Sequence, residues 1–196
     1  MNSDKEAANG MFEELKEEQV DTRESATKNL SLSLLQTETP DQVLNIFERE
    51  YLRQRKEIIY PEELCLIFYF VTKNLSQGGT YDSEEGVKLV QSDLRFTTLL
   101  DLLFAKLPEL AYDYLVTTVW SLGICVSAFG LQMEADRKLR LLSTLNQHID
   151  SADGVPPTSV SNIPSLAFSL TCFFNQEDMN QLVTDTVEKL SAIYRK

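Results

Sequence analysis

The chain has 196 residues, enough for one domain or one domain with a tail, and 43% of them are apolar, enough for a core. Thirty acids against eighteen bases give a net charge of −12, which excludes a strongly basic nucleic-acid binder. Three scattered cysteines exclude a disulfide scaffold, and seven Gly with six Pro are too few for a loop-dominated protein.

The N-terminus supplies much of the excess charge, with nine acids and four bases in residues 1–40. It has neither the basic-then-apolar order of a secretory signal nor the Arg-rich, acid-poor composition of a mitochondrial presequence. Either the protein stays where it is made, or this is a processed or alternatively started form. Residues 1–30 are polar. Phe12, Leu15 and Val20 lie in a helical patch over 11–20 but are too sparse to anchor a core. The reading is an acidic, disordered tail over 1–30, with a transient helix, and a folded domain over 31–196. No run of 18 apolar residues occurs, so no transmembrane helix is expected.

A first helix starts at Thr39-Pro40-Asp41, capped by Thr39 or Asp41, and repeats Val43, Leu44, Phe47, Tyr51 and Leu52 at helical spacing to about Ile58. A second starts at Tyr60-Pro61-Glu62-Glu63, with Pro in its first turn and acids on the positive end of the helix dipole. It is apolar nearly all round and predicts a buried helix. A strand competes over 67–71, but the flanks favour helix. Residues 76–86, with Gly78-Gly79, read as a loop. A third helix begins near Asp93 or Arg95 and stops at Pro108. A fourth runs over 110–129 and ends at Gly130. A fifth covers 133–149, with Leu139, Leu142, Leu145 and Ile149 on its face. After a loop over 153–162, a sixth covers 163–174. A seventh covers 178–194, its face marked by Leu182, Val183, Val187 and Leu190.

The helices alternate in character. Odd ones are amphipathic and even ones almost wholly apolar. Aligning the even helices puts Leu64, Leu115 and Leu166 in register, each 51 residues from the last. One hairpin cannot bury its apolar face alone, so hairpins stack and their inner helices share a core. The pattern predicts an all-α fold: a right-handed-type α-solenoid of about three helical hairpins plus a C-terminal helix. That last helix is either a cap or the point where a longer array continues. A compact, non-repeating helical bundle is the alternative.

From Asp93 to Gly123 the chain opens on Arg95-Phe96, passes Leu99-Leu100, and continues into a second helix with Leu115, Trp120, Leu122 and Gly123. This stretch resembles the helical-repeat region of the FAST kinase-like (FASTK) family and of related RAP-domain and octotricopeptide-type proteins. Residues 34–70 and the final unit follow the same layout more loosely. The resemblance implies RNA-related work, mainly in mitochondria or other organelles, affecting transcript stability, processing or translation. It implies no phosphoryl transfer, despite the family's name. It places the protein in the mitochondrion, with the cytoplasm as the alternative. The chain departs from the family pattern in showing no RAP module and in being acidic.

Catalytic and cofactor chemistry find no support in the sequence. There is one histidine, His148, near a helix C-terminus where the dipole favours it. No Cys-x-x-Cys, Gly-x-Ser-x-Gly, P-loop or Gly-x-Gly-x-x-Gly occurs. The paired acids Glu13/Glu14, Glu17/Glu18, Glu62/Glu63 and Glu84/Glu85 read as solvated helix starts and loops. Cys65, Cys125 and Cys172 sit in apolar runs and read as buried reduced thiols. The chain is therefore read as non-enzymatic, without cofactor, metal or small-molecule substrate.

Binding candidates lie on the amphipathic helices. Arg49, Arg53 and Lys56 share one face at i, i+4 and i+7. Arg95 starts the third helix, and Arg137 and Arg140 lie at i and i+3 on the fifth. Equivalent helices of a solenoid line one surface, so these residues would join into a basic track for an RNA backbone. The competing reading is a solvated face balanced by Glu48, Glu50, Glu57, Glu134 and Asp136. The lone Trp120 reads as core before base-stacking, and Tyr60, Tyr112 and Tyr114 would edge a groove or pack helix starts. Two functions follow. One is a helical-repeat adaptor in organellar RNA metabolism, touching RNA directly or through a protein. The other is an acidic α-solenoid scaffold for a basic protein partner, with no RNA contact.

Overall fold

The structure, a computed structural model, describes residues 27–53, 60–77, 83–151, 162–173 and 181–195. The helical patch expected over 11–20 and the Gly78-Gly79 turn lie outside the described residues. The chain divides into two compact units, Met1–Gln36 and Thr37–Lys196. In the first, helix α1 spans 27–35, crossing the expected end of the tail at residue 30. Leu30 and Leu34, four apart, are its buried residues.

All the regular structure among the second unit's described residues is helical, with no strand among them. Helix α2 (Pro40–Phe47) is capped by Thr39, not Asp41. The Thr39 hydroxyl accepts from the Gln42 N–H, and the Gln42 side chain bonds back to the Thr39 N–H in a reciprocal capping box. Residues Glu48–Arg53 continue α2 as a π-helix. Helix α3 (Pro61–Gln77) follows, and the 67–71 stretch lies within it. The expected loop over 76–86 instead contains the start of helix α4 (Ser83–Ser92). Gly86 lies inside this helix, where a Cβ would sit 2.7 Å from a carbon of the Phe129 ring. The glycine signals close approach rather than a turn.

Asp93 caps helix α5 (Leu94–Lys106), its carboxylate accepting from the Arg95 and Phe96 N–H groups. Pro108 closes α5 in a 3₁₀ turn, Leu107–Glu109. Helix α6 (Tyr112–Phe129) ends at Gly130, whose left-handed backbone (φ 67°) lets the Leu131 N–H reach the Cys125 carbonyl at 3.0 Å. Helices α7 (Ala135–Ile149), α8 (Ile163–Phe173) and α9 (Gln181–Tyr194) complete the unit. On α7 the buried face is Leu141, Leu142, Leu145 and Ile149, while Leu139 is exposed, so the expected face is turned by part of a step. On α9, Val183, Thr186 and Leu190 are buried and Val187 is half-exposed.

The packing sorts the helices into two rows. Helix α3 packs on α6 and α6 on α8, forming an inner row. Beside it, α2 packs on α3 and α5, the turn after α5 packs on α7, and α7 packs on α9. Helix α4 packs on α5 and α6. Hydroxyl–sulfur contacts join Thr118 to Cys65 at 3.4 Å and Thr72 to Cys125 at 3.7 Å. Both pairs have the same sequence offset, so α3 and α6 run parallel. Gly123 lets α6 close on α8, since a Cβ there would stand 3.1 Å from Ser169 Cβ.

The 51-residue register has a physical counterpart. Leu64, Leu115 and Leu166 are all fully buried, one per inner helix. Two positions later in each helix, Leu66, Thr117 and Phe168 are none of them buried. Five positions later, Tyr69, Trp120 and Thr171 are likewise at least partly exposed. The inner row thus has one face in the core and one facing outward.

Candidate functional site

The expected basic track is where the structure is most specific. Arg49 Nε donates to Glu50 at 2.8 Å. Arg53 holds Glu48 through two nitrogens, at 3.1 and 2.9 Å. Residues five apart face each other on a π-helix, so the widened turn brings Arg53 to Glu48. Lys56, the third member of that stripe, lies outside the described residues.

Arg95 makes the densest set of contacts. Its guanidinium bonds Asp93 at 3.1 and 2.7 Å on its own helix, then reaches across to α2, to Asn45 at 2.6 Å and Asp41 at 2.7 Å. Only 22% of the side chain is exposed. Its hydrogen bond to Arg95, ahead of the opposing effect of burial, holds the Asp93 carboxyl below the usual carboxylate range. The hydrogen bond to Asp93 in turn raises Arg95, keeping it charged.

Arg137 of α7 reaches back to Asp101 of α5 at 2.5 Å and lies over the Phe104 ring, 5.4 Å from its centre. Arg140, one turn on, donates to the Ala105 carbonyl at 3.4 Å. Together these residues line an open cleft of about 250 Å³ between α5 and α7. A third link has the same form: Lys189 of α9 bonds Asp150 at the end of α7 at 2.6 Å, with Asn146 at 3.5 Å. Arg95, Arg137 and Lys189 therefore each tie one outer helix to the one before it. No local pattern in the sequence foretells these pairings, because the partners lie 36 to 54 residues apart.

A second cleft, of about 400 Å³, is lined by Asp41, Glu85, Lys88, Leu89, Ser92 and Asp93. Two of its three carboxylates, Asp41 and Asp93, are turned onto Arg95. Among the described residues no cluster of His, Cys, Asp and Glu has the geometry to hold a metal. No described helix is long and apolar enough to cross a membrane.

The aromatic candidates separate. Tyr112 is buried and edge-on to His148, with ring centres 6.3 Å apart, so it edges no groove. Burial, ahead of the neighbouring Asp113, pushes its phenol up to about 12. Tyr51 is buried too and donates to the buried Glu63 carboxylate at 2.8 Å, tying the π-helix to the start of α3. That burial, with the Glu63 charge, raises its phenol well above its usual range. Trp120, expected in the core, is only half-buried and lies against Tyr69 with ring centres 5.8 Å apart. Among the thiols, burial pushes Cys65 up to about 11 and Cys125 up to about 12. Cys172, also expected to be buried, is part-exposed.

No protein-family model, curated protein or solved structure gives a significant match to the chain.

Proposed function

We propose that the protein is a non-enzymatic helical-repeat adaptor, an acidic right-handed α-solenoid scaffold that binds a protein partner. The observation that carries this reading is the use made of Arg95 and Arg137. Both belong to the candidate RNA track, and both are spent on carboxylates of a neighbouring outer helix. A phosphate backbone would have to compete with those carboxylates, against a net charge of −12. The stacking of α3, α6 and α8 with α2, α5, α7 and α9 beside them supports the solenoid arrangement. The link to organellar RNA metabolism rests on the FASTK-like residues from Arg95 to Gly123, and in this reading it runs through the partner. Direct RNA contact is the second reading. It would centre on Arg140, whose bond goes to a main-chain carbonyl rather than a carboxylate.

Fluorescence anisotropy with single-stranded RNA at two salt concentrations tests this. The expected result is no saturable binding even at low salt, for the wild type and for a variant with Arg49, Arg53 and Lys56 changed to Glu. Binding that weakens steeply with salt, by about one counterion per phosphate contact, and that is lost in Arg140→Glu would replace the scaffold by an RNA track.

A further inference from the structure

We infer that the outward seam between α3 and α6 is the docking surface for an amphipathic segment of a protein partner that brings apolar side chains and a carboxylate. The inference rests on the scaffold reading and gives it a location. One register builds the seam. Tyr69 and Trp120 occupy equivalent places in the 51-residue spacing, and their rings meet with centres 5.8 Å apart. The two helices run parallel, so the same offset sets Ile124 level with Lys73, one turn further on. Leu66 stands one turn before Tyr69. All five side chains are partly exposed. An aromatic pair flanked by aliphatic groups has the makeup of an interface centre, where Trp and Tyr carry much of the binding energy.

The chemistry of the partner follows from Lys73. After Glu63 on α3 and after Asp113 on α6, it is the only charged residue on either helix. Its ammonium lies 5.1 Å from the centre of the buried Phe70 ring, and among the described residues no carboxylate pairs with it. Glu85 of the neighbouring α4 lines the cleft with Asp41 and Asp93, on the outer-row side. Arg95, Arg137 and Lys189 each hold an acid, whereas Lys73 has none. Glu62 lies three turns before it on α3, about 16 Å along the axis, beyond the screening length of about 8–10 Å. A long phosphate backbone would meet the whole charge of −12, but a single carboxylate at Lys73 meets a local positive charge. An apolar centre with one cation at its edge fits a helix that has leucines or phenylalanines on one side and a glutamate or aspartate at its flank.

Trp120 is the only tryptophan, so its emission reports directly on this seam. The probes are a labelled amphipathic Leu/Glu peptide, a Ser/Glu peptide of equal charge, a Leu/Lys peptide and oligouridylate. The expected result is saturable binding of the Leu/Glu peptide alone, with a blue shift of Trp120 emission. Lys73→Glu should weaken that binding about tenfold or more and bring in the Leu/Lys peptide instead, without moving the melting temperature. Lys73→Gln should weaken it by a smaller factor. Wild-type affinity in both variants, or equal binding of the Leu/Lys peptide to the wild type, would overturn the acidic partner. Peptide anisotropy that rises while Trp120 emission stays still would place binding elsewhere, overturning the seam but sparing the scaffold. Equal binding of the Ser/Glu peptide would show charge alone at work and also overturn the seam. Quenching by oligouridylate with the peptides silent would make the seam a base-stacking platform, and both readings would fall. Silence from every probe would overturn the seam and leave the scaffold standing. A blue shift that grows with protein concentration alone would assign the seam to a second copy and overturn the partner.

Discussion

The two rows of helices solve different problems with different chemistry. The outer row holds its neighbours together through charge: Arg95 to Asp41, Arg137 to Asp101 and Lys189 to Asp150. The inner row holds together through buried apolar contact, with Leu64, Leu115 and Leu166 in the core, close approach at Gly123, and thiol–hydroxyl contacts. The two rows therefore differ in what they leave exposed. Arg95, Arg137 and Lys189 of the outer row are already committed, whereas the outward side of the inner row has apolar groups facing water. An amphipathic sequence suggests a working face on the charged helices, but here the charged helices are the ones most occupied with themselves.

The largest test of that contrast is Leu115→Ala. It should destabilise the protein by about 2–5 kcal/mol in chemical denaturation, because it empties the centre of the inner row. Arg95→Ala should cost less, about 1–2 kcal/mol, since it breaks a charge-assisted network that water still partly reaches. Equal losses from the two substitutions would erase the distinction between the rows. Trp120→Ala should also cost only about 1–2 kcal/mol, not the full price of a core aromatic, as its ring is half-exposed.

A smaller effect separates charge from capping. Asp93→Asn keeps a good N-cap residue but removes the carboxylate that Arg95 binds. The folded Asp93 titrates below the unfolded value of about 3.9, so its contribution is fully present above that value and is lost as pH falls through the folded one. Wild-type stability should therefore fall more steeply below about pH 4 than that of Asp93→Asn. Parallel profiles would mean the Asp93–Arg95 pair contributes little. Smallest of all, Arg137→Ala should cost about 0.5 kcal/mol, as for an exposed pair. Thiol labelling of the native protein sharpens the same contrast from the inner side. Cys172 should react, while Cys65 and Cys125, buried and with raised thiol values, should wait for unfolding.

Helix starts and stops were legible in the sequence because they are local chemistry. Thr39, Asp93, Pro108 and Gly130 each act on backbone groups within a few residues. What could not be read was set by distant neighbours. Helix α4 hid behind glycines, and Gly86 makes sense only with the Phe129 ring against it. On α7, Leu139 and Leu141 fit the periodicity almost equally, and the packing of α7 decides between them. Arg95 and Arg137 stood out in the sequence but their partners on other helices did not, and Lys189, which makes the third link, was not among the candidates. Trp120 shows the opposite limit. An apolar helix reads as buried all round, and nothing in its own sequence says whether another layer covers it.

The direction of the outer links bears on how the chain is assembled. In all three, the acid belongs to the earlier helix and the base to the later one. During synthesis from the N-terminus, Asp41, Asp101 and Asp150 each leave the ribosome before the base that will meet them. Until then each carboxylate stands in water, where an acid rests comfortably and resists premature clumping. Helices α5, α7 and α9 then each bring a base to a carboxylate that the outer helix before it has already presented, in the order in which the chain is made.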